Sequence, residues 1–328
     1  MNGNHRASHT RRSFLRGFSF TAVGAPLLAY GANVVSPART PRIGYYGTTN
    51  PPYLMNAFLE ELRAQGFSDG DNVIVEKSDS AEKAKAMPGM ELSFIVAGSL
   101  PSALLVRNAN PNMPMVIATC PGMVSNGFAR SLAQPGGIYT GLDELPPGVT
   151  ARRVELLKTA APSVKRIALL STTPGVGGHE KQHEDAQTAA QRLHMTVKVY
   201  RAPTIGDVDG ALAAIASDGM DGMLNFQGAV SIFKRQAIVD FAAEHRLPAI
   251  YQATMFAEAG GLMTWAPDLA EQYREAARYA ATILRGSKPG ELPAKYPAKY
   301  FLTLNAGAAN KIGLSFPATL LAEASRVI

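Results

Sequence analysis

Cysteine is nearly absent from this 328-residue sequence, in which Cys120 is the single one. This excludes an internal disulfide, and it leaves no cysteine near the N-terminus that could carry a lipid. No histidine stands beside Cys120 in a recognisable catalytic motif. We therefore interpret Cys120 as a half-buried structural thiol rather than a nucleophile.

Acidic residues are absent from the first 38 positions, which hold four arginines. The segment TRRSFLR (10–16) precedes an uncharged, mostly apolar run over 17–35 and then the small residues of SPA (36–38). This order resembles a twin-arginine export signal, and we predict that 1–38 is a signal peptide cleaved after Ala38. A membrane anchor is the alternative, but the run contains glycine and proline and is short for a stable span. The expected location is the periplasm.

A strongly basic surface is also missing. The whole chain has a formal net charge of +6, but without the four N-terminal arginines 28 basic residues face 26 acidic ones, scattered without a run. Nucleic acid is therefore not expected as a partner. A hydrophobic content of 46% is typical of a globular protein.

Short apolar runs alternate with helical patterns from position 41 onward, which predicts βαβ units and parallel sheets. Predicted strands cover 43–46, 73–76, 92–96 and 115–118 in a first series, and 167–170, 197–200, 223–226 and 249–251 in a second. A Gly/Pro-rich stretch over 135–148 separates the two series, which indicates two α/β lobes. In open α/β sheets, ligands bind at the carboxyl ends of the strands.

The segment HEKQH (179–183) matches the HExxH pattern of zinc proteases. A zinc site also requires a third ligand and a buried helix, whereas this helix looks polar and no later histidine or glutamate stands in a third-ligand motif. We interpret the segment as a solvated helix start and expect no metal and no cofactor. A zinc hydrolase acting through His179, Glu180 and His183 is the least favoured functional hypothesis.

Several motifs resemble those of ABC-transporter substrate-binding proteins, in the family that includes tryptophan- and tyrosine-binding members. They are LAQPGG (132–137) with TGL (140–142), ELLK (155–158), RLPAIY (246–251), EAGGLM (258–263) and APDL (266–269). The resemblance implies a type I periplasmic binding protein: two Rossmann-like lobes, a hinge and an interlobe cleft. The implied boundaries are 41–142 plus about 256–290 for lobe 1, and 143–255 plus about 291–328 for lobe 2.

Candidate ligand-binding residues follow the predicted strands. Ser99 and Ser102 flank a helix start that suits a carboxylate, although Ser99 could equally be a helix cap. Aromatic rings from both lobes are expected to sandwich a planar ligand, with only one of Tyr45 and Tyr46 in the cleft. Asp268 is interpreted either as the partner of a ligand ammonium or as a helix cap. The full predicted set is Tyr45, Thr48, Thr49, Tyr53, Ser99, Ser102, Thr119, Thr172, Asn225, Gln227, Tyr251 and Gln252.

The resemblance implies a monomeric solute receptor that is not an enzyme. It would close on a small organic molecule, an amino acid or an aromatic carboxylate, and deliver it to an ABC permease and ATPase complex in the inner membrane. A ligand-binding sensor subunit for a membrane receptor is the alternative, which these residues do not separate from transport.

Overall fold

The computed structural model describes residues 39–47, 51–78, 80–173, 177–226 and 228–328. The predicted signal peptide lies outside these ranges. Within them, no helix combines the length and the apolar character that a membrane crossing requires.

The first lobe is built on a fully parallel five-stranded sheet. Its strands run in the order β2-β1-β3-β4-β5, and both faces are buried, as expected for a parallel sheet between helices. Its elements are β1 (Arg42–Tyr46), α1 (Pro52–Ala64), β2 (Ile74–Ser78), α2 (Ala81–Ala86), β3 (Phe94–Ala97), α3 (Leu100–Ala109), β4 (Met115–Cys120) and β5 (Tyr139–Asp143).

The second lobe is built on a seven-stranded sheet, in the order β12-β11-β10-β9-β8-β6-β7. All its pairings are parallel except that of β10 with β11. Its elements are α4 (Val149–Ala160), β6 (Arg166–Ser171), α5 (Gly177–Arg192), β7 (Thr196–Arg201), α6 (Asp207–Ser217), β8 (Gly222–Asn225), α7 (Ala229–Phe233), α8 (Arg235–Glu244), β9 (Ala249–Tyr251), α9 (Thr254–Glu258), β10 (Met263–Pro267), β11 (Tyr300–Leu304), α11 (Ala306–Lys311), α12 (Ala318–Glu323) and β12 (Arg326–Val327). Helix α10 (Leu269–Leu284) leaves this lobe and packs with α1 in the first.

The predicted α/β class with two lobes is confirmed, and the eight predicted strands correspond to β1–β4 and β6–β9. The other four strands, β5, β10, β11 and β12, lie outside the eight predicted segments. The predicted segment 256–290 of lobe 1 needs correction, because β10 pairs with β9 and β11 in the second sheet. Only from Leu269 onward does this segment pack on the first lobe.

Three connections join the lobes: 144–148, the single residue Asp268, and 285–299. The third connection runs beside the end of β5, just before the first connection begins, because Asp143 N donates to Lys295 O and Lys295 N donates to Gly141 O. Trp265 stacks on Tyr300 at 5.9 Å beside these connections. The indole is therefore packed at the hinge.

Candidate functional site

A cavity of about 200 Å³ lies between the lobes, at the carboxyl ends of strands from both sheets. Both lobes and the first connection, through Glu144 and Leu145, contribute to its wall. This is the place where α/β folds of this kind bind ligands. Its volume is below that of typical ligand pockets, which begin at roughly 300 Å³, and this suits a small solute.

Apolar side chains line the cavity from both lobes. Lobe 1 contributes Leu54, Leu100 and Leu104, and lobe 2 contributes Ile232 and Met255. Covering these aliphatic side chains with a solute removes apolar surface from water, which favours binding.

The start of α3 forms the polar part of the lobe 1 wall. Ser99 caps this helix, since its hydroxyl accepts from Ser102 N at 3.5 Å, and the two hydroxyl oxygens lie 3.1 Å apart. Ser99 faces the cavity, whereas Ser102 is buried and does not line it. Thr119 also lines the cavity, but its hydroxyl donates to Gly98 O at 3.0 Å. The hydroxyl of Tyr273 donates to the same carbonyl at 2.7 Å.

Two ionisable side chains, Glu144 and Arg153, form the hinge end of the cavity. Burial raises the pKa of the Glu144 carboxyl to about 7, against the smaller opposing effects of Gln272 and Arg153. Burial lowers the pKa of Arg153 to about 10, so its guanidinium stays charged at neutral pH. Arg153 Nε donates to Trp265 O at 3.1 Å, while a terminal nitrogen of the guanidinium is buried without a partner among the described residues.

The lobe 2 wall begins at the HEKQH segment, in the first turns of α5. His179 and His183 are only 2% and 4% exposed, and His183 stacks on Phe226 with ring centroids 5.6 Å apart. The prediction of a solvated helix start is therefore wrong. It failed because burial of this helix face depends on Phe226, a residue far along the chain.

His179 lines the cavity, and its Nδ1 atom is buried without a partner among the described residues. Burial, and to a smaller extent the neighbouring His183, lowers the pKa of His179 to about 4. The ring is therefore neutral at physiological pH. Across the described ranges, no three histidine, cysteine, aspartate or glutamate side chains come together as a metal site would require.

The lobes touch directly beside His179. A Cβ atom placed on Gly178 would lie 1.9 Å from Pro121 O, and one placed on Gly122 would lie 2.9 Å from Gly178 Cα. Asp143 holds the lobe 1 side of this contact in place, because its carboxylate accepts from Gly122 N at 3.0 Å and Met123 N at 2.8 Å. Two glycines thus allow backbone to meet backbone at the edge of the cavity.

Of the predicted site residues, Ser99, Thr119 and Gln252 line the cavity. Thr172 and Asn225 are buried next to the lobe 2 wall, and their side-chain polar atoms have no partner within the described part of the chain. Thr48, Thr49 and Gln227 lie outside the described residues.

The aromatic rings that we expected to enclose a planar ligand from both lobes do not line the cavity. Tyr45 packs against Phe58 at 5.4 Å in the lobe 1 core, and Tyr251 stacks on Phe256 at 4.9 Å in the lobe 2 core. Alternation along a strand placed these rings under helices rather than in the cleft.

The structure also shows where three other residues from the sequence analysis lie. Tyr53 is half exposed on α1 beside the cavity residue Leu54. Asp268 caps α10, since its side chain accepts from Glu271 N at 3.2 Å. Cys120 is fully buried, and burial raises the pKa of its thiol well above the ordinary value.

Sequence reasoning missed Glu144, Arg153, His179 and Tyr273, which all line the cavity. A signal was available for the first, because Asp143 and Glu144 directly follow the TGL motif at the lobe crossing. The histidine was noticed but assigned to solvent. Arg153 and Tyr273 lie inside helices, where nothing in the local pattern separates them from other positions.

Two α/β lobes that enclose a cavity lined by apolar and ionisable groups define a solute-binding class of protein. The family model for ABC transporter substrate binding proteins matches residues 54–328, and the chain belongs to this family. Family members are solute-binding proteins, and the recognition of this family from the sequence motifs is confirmed.

The chain is similar to a tyrosine-binding protein of Clostridioides difficile (strain R20291), with 22% identity over 243 residues, 72% of this chain and 69% of that protein. Its fold matches that of an ABC domain in complex with L-Trp from Streptococcus pneumoniae, with a TM-score of 0.81, 21% identity, and coverage of 88% of this chain and 100% of that one. A conserved domain protein from Vibrio cholerae matches with the same TM-score and coverage at 24% identity.

Proposed function

We propose that this protein is the solute-binding component of an ABC importer and works in the periplasm after removal of residues 1–38. It binds a small organic solute, an amino acid or an aromatic carboxylate, and hands it as a monomer to a permease and ATPase complex. The proposal is supported by the family, and by relatives whose names report tyrosine binding and a complex with L-Trp.

The single observation that carries the proposal is the pair Glu144 and Arg153 at the hinge end of a cavity whose other described lining residues are uncharged. A guanidinium with an unpartnered nitrogen is suited to a carboxylate, which it can bind through charge-assisted hydrogen bonds. A carboxylate at Glu144 is suited to an ammonium group. An amino acid carries both groups on one carbon, and its side chain would meet the leucine-lined wall.

Closure is the proposed mechanism. Ligand contacts with both lobes favour the closed state, in which Gly178 meets Pro121, over an open one. The solute is then shielded from water, and the closed outer surface is what a permease can recognise.

Thermal-shift screening against amino acids and aromatic acids tests the proposal. A solute at about 100 times its Kd stabilises the folded state by about 2.7 kcal/mol, which gives a clear rise in Tm. Native mass spectrometry of protein purified without refolding would identify a co-purified solute. If no member of a broad library raises the Tm and no solute co-purifies, the proposed function is wrong.

A further inference from the structure

Buried polar atoms without partners concentrate on one side of the cavity, at the strand ends of lobe 2. They include Thr172 Oγ1, Thr173 Oγ1, His179 Nδ1, Gln182 Nε2 and Asn225 Nδ2. An unpaired buried donor or acceptor costs about 1–3 kcal/mol, so folded proteins rarely accumulate several in one place.

Two of these residues, Thr173 and His179, reach the cavity, and Gln252, whose amide has a partner, lines it with them. Gln182 holds the Gln252 amide in place, since Gln252 Nε2 donates to the side-chain oxygen of Gln182. His179 packs at 6.2 Å from the Phe226 ring. We call Thr173, His179 and Gln252 the lobe 2 polar wall.

The lobe 2 polar wall carries no formal charge at neutral pH. Burial keeps His179 neutral. Of the charged groups around it, Glu180 is bonded to His183 Nδ1 at 3.1 Å and to the Arg201 guanidinium at 3.3 Å. The carboxyl group of Glu144 and the guanidinium group of Arg153 lie instead at the hinge end of the cavity.

We propose that the lobe 2 polar wall binds an uncharged hydrogen-bonding group of the solute, a hydroxyl or an amide, with His179 as the specificity-determining residue. The inference rests on the proposed function and adds to it the chemistry of the solute beyond its charged groups. A neutral imidazole and a primary amide can each donate or accept, so the wall suits groups that do both.

Matched solute pairs test the inference by isothermal titration: L-tyrosine with L-phenylalanine, L-threonine with L-valine, and L-glutamine with L-methionine. A site that pairs its buried polar groups with a solute hydroxyl discriminates strongly against the analogue without it. We expect the hydroxyl or amide member of at least one pair to bind about 100-fold more tightly than its partner, since leaving buried groups unpaired is costly.

Three variants locate the discrimination. His179→Leu should reduce the ratio within that pair to a few-fold, and His179→Gln should restore most of it. His245→Leu, which changes an exposed histidine of the same lobe, should leave it unchanged. In the solute-free protein, His179→Leu should not lower the Tm, because it removes a buried group that lacks a partner.

Several outcomes would overturn the inference. They are equal binding within every pair, preference for the apolar members, an unchanged ratio in His179→Leu, or binding only of solutes that have neither hydroxyl nor amide outside their charged groups. A protein that binds no solute of any kind refutes the proposed function instead.

Discussion

Replacing Gly178 by alanine should hold the lobes apart without touching the solute. The new Cβ would lie 1.9 Å from Pro121 O, whereas ordinary contact begins at 3.4 Å, so the two backbones must separate by 1.5 Å at this point. Lobe 1 cannot yield easily, because Asp143 and Asn126 both bond the loop that carries Pro121.

The open state should tolerate the same substitution. Gly178 lies in the first turn of α5, and alanine favours a helix over glycine by about 1 kcal/mol. If strain in the closed state costs about 1–3 kcal/mol, solute affinity falls roughly 5- to 150-fold, because 1.4 kcal/mol corresponds to a factor of ten.

Titration calorimetry with a solute found by the screen measures the loss, and small-angle scattering with and without solute measures the closure. Gly210→Ala is the matched control, since it changes a helical glycine of the same lobe with no atom near the added methyl. Unchanged affinity and full compaction in Gly178→Ala would refute the steric argument.

Three further predictions concern the hinge end of the cavity and its support. Arg153→Lys should weaken binding of carboxylate solutes about tenfold or more by loss of the planar guanidinium donors. Arg152→Lys, at the partly exposed neighbouring position, should not. Equal affinities in titrations of both variants would contradict the role of Arg153. The folded pKa of Glu144 is raised from 4.5 to about 7, so its contribution to stability is fully present below pH 4.5 and is lost as the pH rises through 7. Glu144→Gln should remove this decline in stability. Parallel Tm curves from pH 5 to 8 for the two solute-free proteins would argue against this prediction. In the native protein the two carboxylate oxygens of Asp143 accept from Gly122 N, Met123 N and Leu145 N, and Asp143→Asn leaves a single acceptor oxygen. This variant should lower the free energy of unfolding in urea by about 1–3 kcal/mol. An unchanged unfolding midpoint would show that the loop does not depend on this carboxylate.

Most of the fold could be predicted because α/β units leave a local trace. Apolar runs of strand length and helical periodicity recur in the order of the elements, and eight strands were found in this way. β5 was missed because its sequence, YTGLD, contains glycine and polar residues. Gly141 is required there, since φ is +142° and a Cβ would lie 2.0 Å from Ile117 O.

The candidate site could be predicted only in its position. Strand ends were expected to meet at the cleft, and Ser99, Thr119 and Gln252 do line it. Tyr45 and Tyr251 were also at strand ends, yet both rings are covered by neighbouring elements of their own lobes. Tertiary packing decides which face of a strand is covered by a helix, and the sequence of the strand alone does not predict it.

The amino-acid sequence by itself determined the class of this protein, the alternation of strands and helices, and the sheet edge at which the cavity lies, because these depend on local periodicity and on motifs within short segments. The tertiary structure alone decided that the histidines of HEKQH are buried, that Glu144 and Arg153 share one end of a cavity, and that Gly178 meets Pro121. Each of these facts needs residues from separate parts of the chain in contact. Burial and charge state depend on those contacts, so they cannot be predicted from any single segment of the sequence.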